Sequence, residues 1–79
     1  MKANVLVSLC PSGRVARFSE PVDVETWIPG RKAFLLDVCK YDTFSVAKTS
    51  DGQIVVKARR NQKPRLKPES VEYWLTPIK

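Results

Sequence analysis

The chain contains no histidine, two cysteines and three glycines among its 79 residues. Each scarcity excludes a class of chemistry. Without histidine the commonest general base and metal ligand is missing. Cys10 and Cys39 stand far apart, whereas a zinc site needs four ligands, usually in close pairs. As nucleophiles they lack an imidazole partner, and both lie in apolar stretches that disfavour a thiolate. Gly13, Gly30 and Gly52 are scattered, so there is no phosphate-cradling loop of the P-loop or dinucleotide type. The acid pairs Asp23 with Glu25 and Glu69 with Glu72 have a plainer role at the front of helical turns, where negative charge meets the positive dipole end. These absences argue against an enzyme and imply neither cofactor nor metal.

Long apolar runs are missing too. Nothing approaches the roughly 20 residues of a membrane-spanning helix. The opening stretch Met1–Cys10 carries one basic residue and an apolar run ending in cysteine, like a leader. Asn4 and Ser8 interrupt that run, and it is shorter than the roughly 7–15 residues of a secretory core. It is expected to be a strand, and the protein to be cytoplasmic. Two isolated cysteines fit free, buried thiols in a reducing compartment better than a disulfide framework, although the spacing leaves a bridge open.

Apolar residues make up 43% and charged residues 28% of the chain, the profile of a folded protein rather than a disordered one. A chain this short buries only about 60% of its unfolded surface. A single domain over 1–79, with a modest core and little room for a catalytic cleft, is expected.

The net charge is +6, from 14 basic and 8 acidic side chains. It is unevenly spread. Residues 1–40 hold six basic and four acidic groups, and residues 41–79 hold eight and four. The densest stretch comprises Lys57, Arg59, Arg60, Lys63, Arg65 and Lys67 with no acid among them. Such a field attracts phosphate backbones, anionic lipid or acidic protein faces.

Along the chain, Val5, Val7 and Leu9 alternate with other residues, which predicts a strand over 3–10. Pro11-Ser12-Gly13 reads as a turn and residues 14–18 as the returning strand. Val24, Trp27 and Ile28 have helical spacing, with Asp23 as cap and Pro29-Gly30 as the stop. Residues 33–40, with the mostly apolar run Phe34–Cys39, suit a central strand covered on both faces. Thr49-Ser50-Asp51-Gly52 predicts a tight hairpin between strands around Phe44–Lys48 and Ile54–Val56. Pro64 and Pro68 exclude regular helix and central strand from 60–69. Residues 70–75 fit either a helical turn with Val71, Trp74 and Leu75 together, or a strand with Val71, Tyr73 and Leu75 on one face. The segments 23–28 and 70–75 also echo one another in pattern, which suggests either a duplicated unit or coincidence.

The expected fold is therefore mainly β, or small α+β: about five short strands in an open barrel or twisted sheet, with one or two helical turns. Trp27 and Trp74 are expected to plug the core, the alternative being that one is an exposed anchor for a partner.

The chain shows no family motif. In size and build it resembles the small accessory proteins of bacteriophages and mobile elements, a likeness of type that rests on no particular residues. That likeness implies an inhibitor or adaptor that binds a host machine. Two binding functions follow from the residues themselves. In the first, Lys57, Arg59, Arg60, Lys63, Arg65 and Lys67, with Arg14, Arg17, Arg31 and Lys32, hold nucleic-acid phosphates. Tyr41, Phe44 and Tyr73 near this patch could then stack on unpaired bases, with Trp27 as a further stacking or anchor candidate, although each aromatic is expected rather in the core of so small a protein. In the second, the same basic face meets an acidic surface on a larger protein or nucleoprotein complex. The bland alternative is a solvated edge whose lysines and prolines block aggregation. DNA and RNA are not distinguished, since the RNA-sheet motif and a helix-turn-helix pair are both missing.

Overall fold

A computed structural model describes residues 1–10, 12–61 and 69–78. The elements are β1 (Lys2–Cys10), β2 (Val15–Arg17), β3 (Val22–Asp23), α1 (Val24–Ala33), β4 (Thr43–Lys48), β5 (Ile54–Arg59) and β6 (Ser70–Pro77). The six strands form one antiparallel sheet in the order β2-β1-β6-β5-β4. β3 pairs with β1 beside Lys2 and Ala3, on the edge that β2 occupies further along. The mainly β fold with one short helical region is as the sequence leads one to expect, and the sheet is open rather than a barrel.

The two hairpins follow from their turn residues. Gly13 and Gly52 take φ of 73° and 90°, a region that side chains with a Cβ rarely adopt. In the second turn the Thr49 hydroxyl donates to the Asp51 carboxylate and holds that carboxyl below its ordinary range. The Gln53 amide donates to the Thr49 hydroxyl at 3.1 Å and closes the loop.

The expected strand at 33–40 is not there. The helix that begins at Val24 runs through Pro29 and Gly30 to Ala33 and continues as one wide turn, Phe34–Val38. In that turn the Cys39 amide donates five residues back, to the Phe34 carbonyl at 3.1 Å. An apolar run of this length does not by itself distinguish a buried strand from a helix. Here Lys32, Ala33, Leu35 and Leu36 favour helix, and only Val38 is β-branched. Pro29-Gly30 does not stop the helix: both residues are exposed and the helix runs through them, with Pro29 inside it. Lys40 ends the helical region with φ of 61°, a position that glycine usually fills. Asp23 occupies the cap position without a side-chain cap bond. It lies instead 3.5 Å from the Met1 ammonium, which also binds Glu25 at 2.6 Å.

One face of the sheet makes the core. Val5, Ile54, Val56, Ala58, Val71, Tyr73 and Leu75 meet Val24, Leu35 and Tyr41, with Trp27, Ile28 and Leu36 packed against them. Leu35, Leu75 and Val56 are the largest fully buried side chains, and burial of each contributes about 1.5–3 kcal/mol. Residues 70–75 are a strand, so Val71, Tyr73 and Leu75 point inward and Trp74 outward. The echo between 23–28 and 70–75 therefore joins a helical segment to a strand and marks no repeated structural unit. Cys10 and Cys39 are both free, as expected, but Cys10 is exposed and Cys39 only partly buried. Among the described residues, no helix is long and apolar enough to cross a membrane.

Candidate nucleic-acid interface

Alternation along the strands sends every second side chain to the face opposite the core. Among the described residues the chain has one helical region, and it packs on the core side. No described element forms a second layer over the opposite face. Cross-strand register aligns Arg17, Leu6, Trp74, Val55 and Ala47 in a row over five strands. The next row reads Val15, Ser8, Glu72, Lys57 and Ser45, and Arg59 stands beside Ser70 beyond it. Trp74 thus lies between Leu6 and Val55 at the middle of an open sheet. Val55 is only 6% exposed although it lies outside the main core cluster, as expected of a valine flanked by an indole on the same face.

Charge on this face is mostly positive. Lys57 Nζ lies 3.8 Å from Glu72 Oε1, a surface pair of small energetic weight. Arg17 and Arg59 are exposed and make no ion pair with another described residue. A groove of about 420 Å³ crosses the face from Gln53 over Thr76 and Trp74 to Asn4, Leu6 and Arg17. The Gln53 side-chain amide donates to the Thr76 hydroxyl at 3.1 Å, which orients both polar groups along the groove.

The other basic residues singled out from the sequence lie elsewhere. Arg31 is on α1, and its guanidinium stands 5.0 to 5.9 Å from the ring centroids of Phe34, Trp27, Tyr73 and Phe18. Three of those rings meet edge to face: Trp27 with Tyr73 at 5.1 Å, Phe18 with Trp27 at 6.0 Å and Phe18 with Tyr73 at 6.4 Å. Arg31 therefore caps an aromatic cluster. Lys32 is exposed and lies 5.9 Å from the Phe44 ring. Arg60 turns to the helical side, 4.0 Å from the Tyr41 ring, while its amide donates to the Glu69 carbonyl at 2.9 Å. Lys63, Arg65 and Lys67 lie outside the described residues.

The aromatics weighed as stacking platforms, each expected rather in the core of so small a protein, are inside. Tyr41 and Tyr73 are 7% and 6% exposed. Burial raises the pKa of both phenols, opposed by Arg60 at Tyr41 and by Arg31 at Tyr73. Trp27 is partly buried within the aromatic cluster. The predicted set is thus split: Lys57 and Arg59 share the open face, whereas Arg31, Lys32 and Arg60 belong to the helical side. Leu6 and Val55 were not among the expected site residues, and Trp74 was expected in the core, with an exposed anchor only as the alternative. The signal for them was the strand alternative for 70–75, which alone turns Trp74 away from the core.

Among the described residues no group of His, Cys, Asp or Glu is arranged to hold a metal ion. No family model matches the chain, and neither a curated protein nor a solved structure matches it.

Proposed function

We propose that the protein is a nucleic-acid-binding module that uses the face of its sheet opposite the helix. The observation that carries this reading is the combination on one face of a central Trp74 with Arg17, Lys57 and Arg59. Cations on such a face attract phosphate over a distance and hold it on contact. An aromatic ring beside a basic track is the usual equipment of proteins that bind nucleic acid with little sequence preference. The basic run that continues to Lys67 extends the positive charge beyond Arg59. Lys63, Arg65 and Lys67 add to the expected phosphate contacts, and Arg31 does not.

The test is an anisotropy titration against single- and double-stranded DNA and RNA at low and physiological salt. Three phosphates neutralised by Arg17, Lys57 and Arg59 give a log–log salt slope of about −2 on single strands, steeper if the later basic residues join. The double reversal Arg17→Glu with Arg59→Glu weakens binding to every sequence and flattens the slope, with the melting temperature nearly unchanged. Binding that ignores these reversals contradicts the reading.

A second reading, an adaptor or inhibitor that meets an acidic protein face, is favoured by one observation on the helical side. Phe34 and Val38 are 42% and 65% exposed, one helical turn apart. They border an apolar hollow of about 360 Å³ with Arg60 in its lining. Under this reading a partner is captured equally from nuclease-treated and untreated lysate, and Phe34→Ser abolishes capture.

A further inference from the structure

We infer that the groove over Trp74 receives an unpaired nucleobase, so that the protein takes single strands in preference to duplex. The inference rests on the proposed nucleic-acid function and names the part of the ligand that this site reads.

The argument starts from the lining. A face that meets only phosphate needs cations and little else. This groove holds an indole beside Leu6, with the amides of Asn4 and Gln53 and the hydroxyl of Thr76 along one side and Arg17 at its end. A nucleobase offers what that set complements: a flat π face for the indole and an edge of donors and acceptors for amides and hydroxyls. The bond from Gln53 to Thr76 uses one proton of the side-chain amide and leaves that side chain's carbonyl oxygen and second proton for a ligand. An amide carries both a donor and an acceptor, so the two amides suit the edges of all four bases. The groove is about 420 Å³, ample for one base and too small for a stacked helix. A duplex hides its base faces in the stack, and only an unpaired base can lie on Trp74. Arg17 at the groove's end and Lys57 and Arg59 one and two rows away are positioned to hold phosphates on either side of that base. The one acid on these rows, Glu72, lies 3.8 Å from Lys57 Nζ, a weak surface pair that a phosphate on Lys57 displaces.

A short oligothymidylate, an abasic strand of the same length and charge, and a duplex separate base recognition from phosphate attraction. Base stacking on Trp74 makes the abasic strand and the duplex weaker ligands than the oligothymidylate by about 5- to 100-fold, with similar salt slopes for the two single strands. Trp74→Ala removes that preference and Trp74→Phe restores most of it. Gln53→Ala weakens oligothymidylate and leaves the abasic strand unaffected. Tryptophan emission is quenched by oligothymidylate in the wild type, and the quench is lost in Trp74→Phe. The abasic comparison uses the unaltered chain and holds even if Trp74→Ala does not fold. Equal affinity for the oligothymidylate and the abasic strand overturns the base pocket and leaves the phosphate-binding function intact. No binding to any of these polymers overturns the nucleic-acid function and the base pocket together.

Discussion

Replacing Arg31 by Met separates a structural arginine from a ligand-binding one. The guanidinium lies within 5.9 Å of four ring centroids, and no carboxylate among the described residues pairs with it. A cation over an aromatic ring contributes about 0.5–1 kcal/mol at an exposed site and about 2 when desolvated. Arg31 is partly buried, and one planar group cannot stack well on four rings at once, so the contributions do not add fourfold. Methionine keeps most of the apolar stem and loses the charge and the plane, which leaves about 1–2 kcal/mol as the expected destabilisation. For a domain of this size that lowers the melting temperature by roughly 5–15 °C. Urea titration with an unchanged m-value measures it. A double-mutant cycle with Phe34→Leu then returns a coupling of about 0.5–1 kcal/mol for the ring nearest the guanidinium, at 5.0 Å. Nucleic-acid affinity changes by no more than one lost positive charge implies. A variant as stable as the wild type, or one that loses binding while keeping its stability, refutes the assignment of Arg31 to the aromatic cluster.

Three further outcomes test other parts of the structure. Leu35→Ala costs about 2–5 kcal/mol because Leu35 is 2% exposed, whereas Val38→Ala, at 65% exposed, costs under about 0.5; a central strand over 33–40 would make both costly, so chemical denaturation of the pair decides between them. Lys40→Gly relieves a side chain held at φ of 61° and raises stability by about 0.5–1 kcal/mol in the same assay; a loss would mean the left-handed turn is not populated. The Met1 ammonium donates to Glu25 and, with Asp23 and backbone contacts, holds that carboxyl at about 2 against an ordinary 4.5; its pKa is depressed in the fold, so its stabilising effect is present above pH 4.5 and is lost as pH falls toward 2, and Glu25→Gln removes that part of the acid-denaturation profile.

Local signals and periodicity differ in what they reveal here. The hairpin between β4 and β5 is legible because Asp51-Gly52 supplies a turn that few other dipeptides can make. β1 is legible because Val5, Val7 and Leu9 alternate. The run at 34–39 is not, since a sheet covered on both sides and a helix at the core both select continuous apolar residues. Pro29 is a breaker only where its missing donor matters, and on the solvent side of α1 it does not. Trp74 illustrates the ambiguity most sharply. At helical spacing it joins Val71 and Leu75; in a strand it opposes them, and the same six residues assign it to the core or to the open face. The decision belongs to β1 and β5, which pair with β6 on either side, and no pattern within 70–75 contains it. The basic residues were visible as a cluster in sequence, but of the three that are described the fold sends Lys57 and Arg59 to one side and Arg60 to the other. Arg60 turns back over Tyr41 one position after Arg59 faces outward.

The central claim is that the face of the sheet opposite the helix holds nucleic acid. Amide and indole chemical shifts, followed while a single-stranded oligonucleotide is added to the labelled protein, test it most directly. The predicted footprint contains Leu6, Arg17, Val55, Lys57, Arg59 and the indole N–H of Trp74, with Phe34 and Val38 unmoved. A footprint confined to Phe34, Val38 and the end of α1, with the sheet face silent, contradicts the claim.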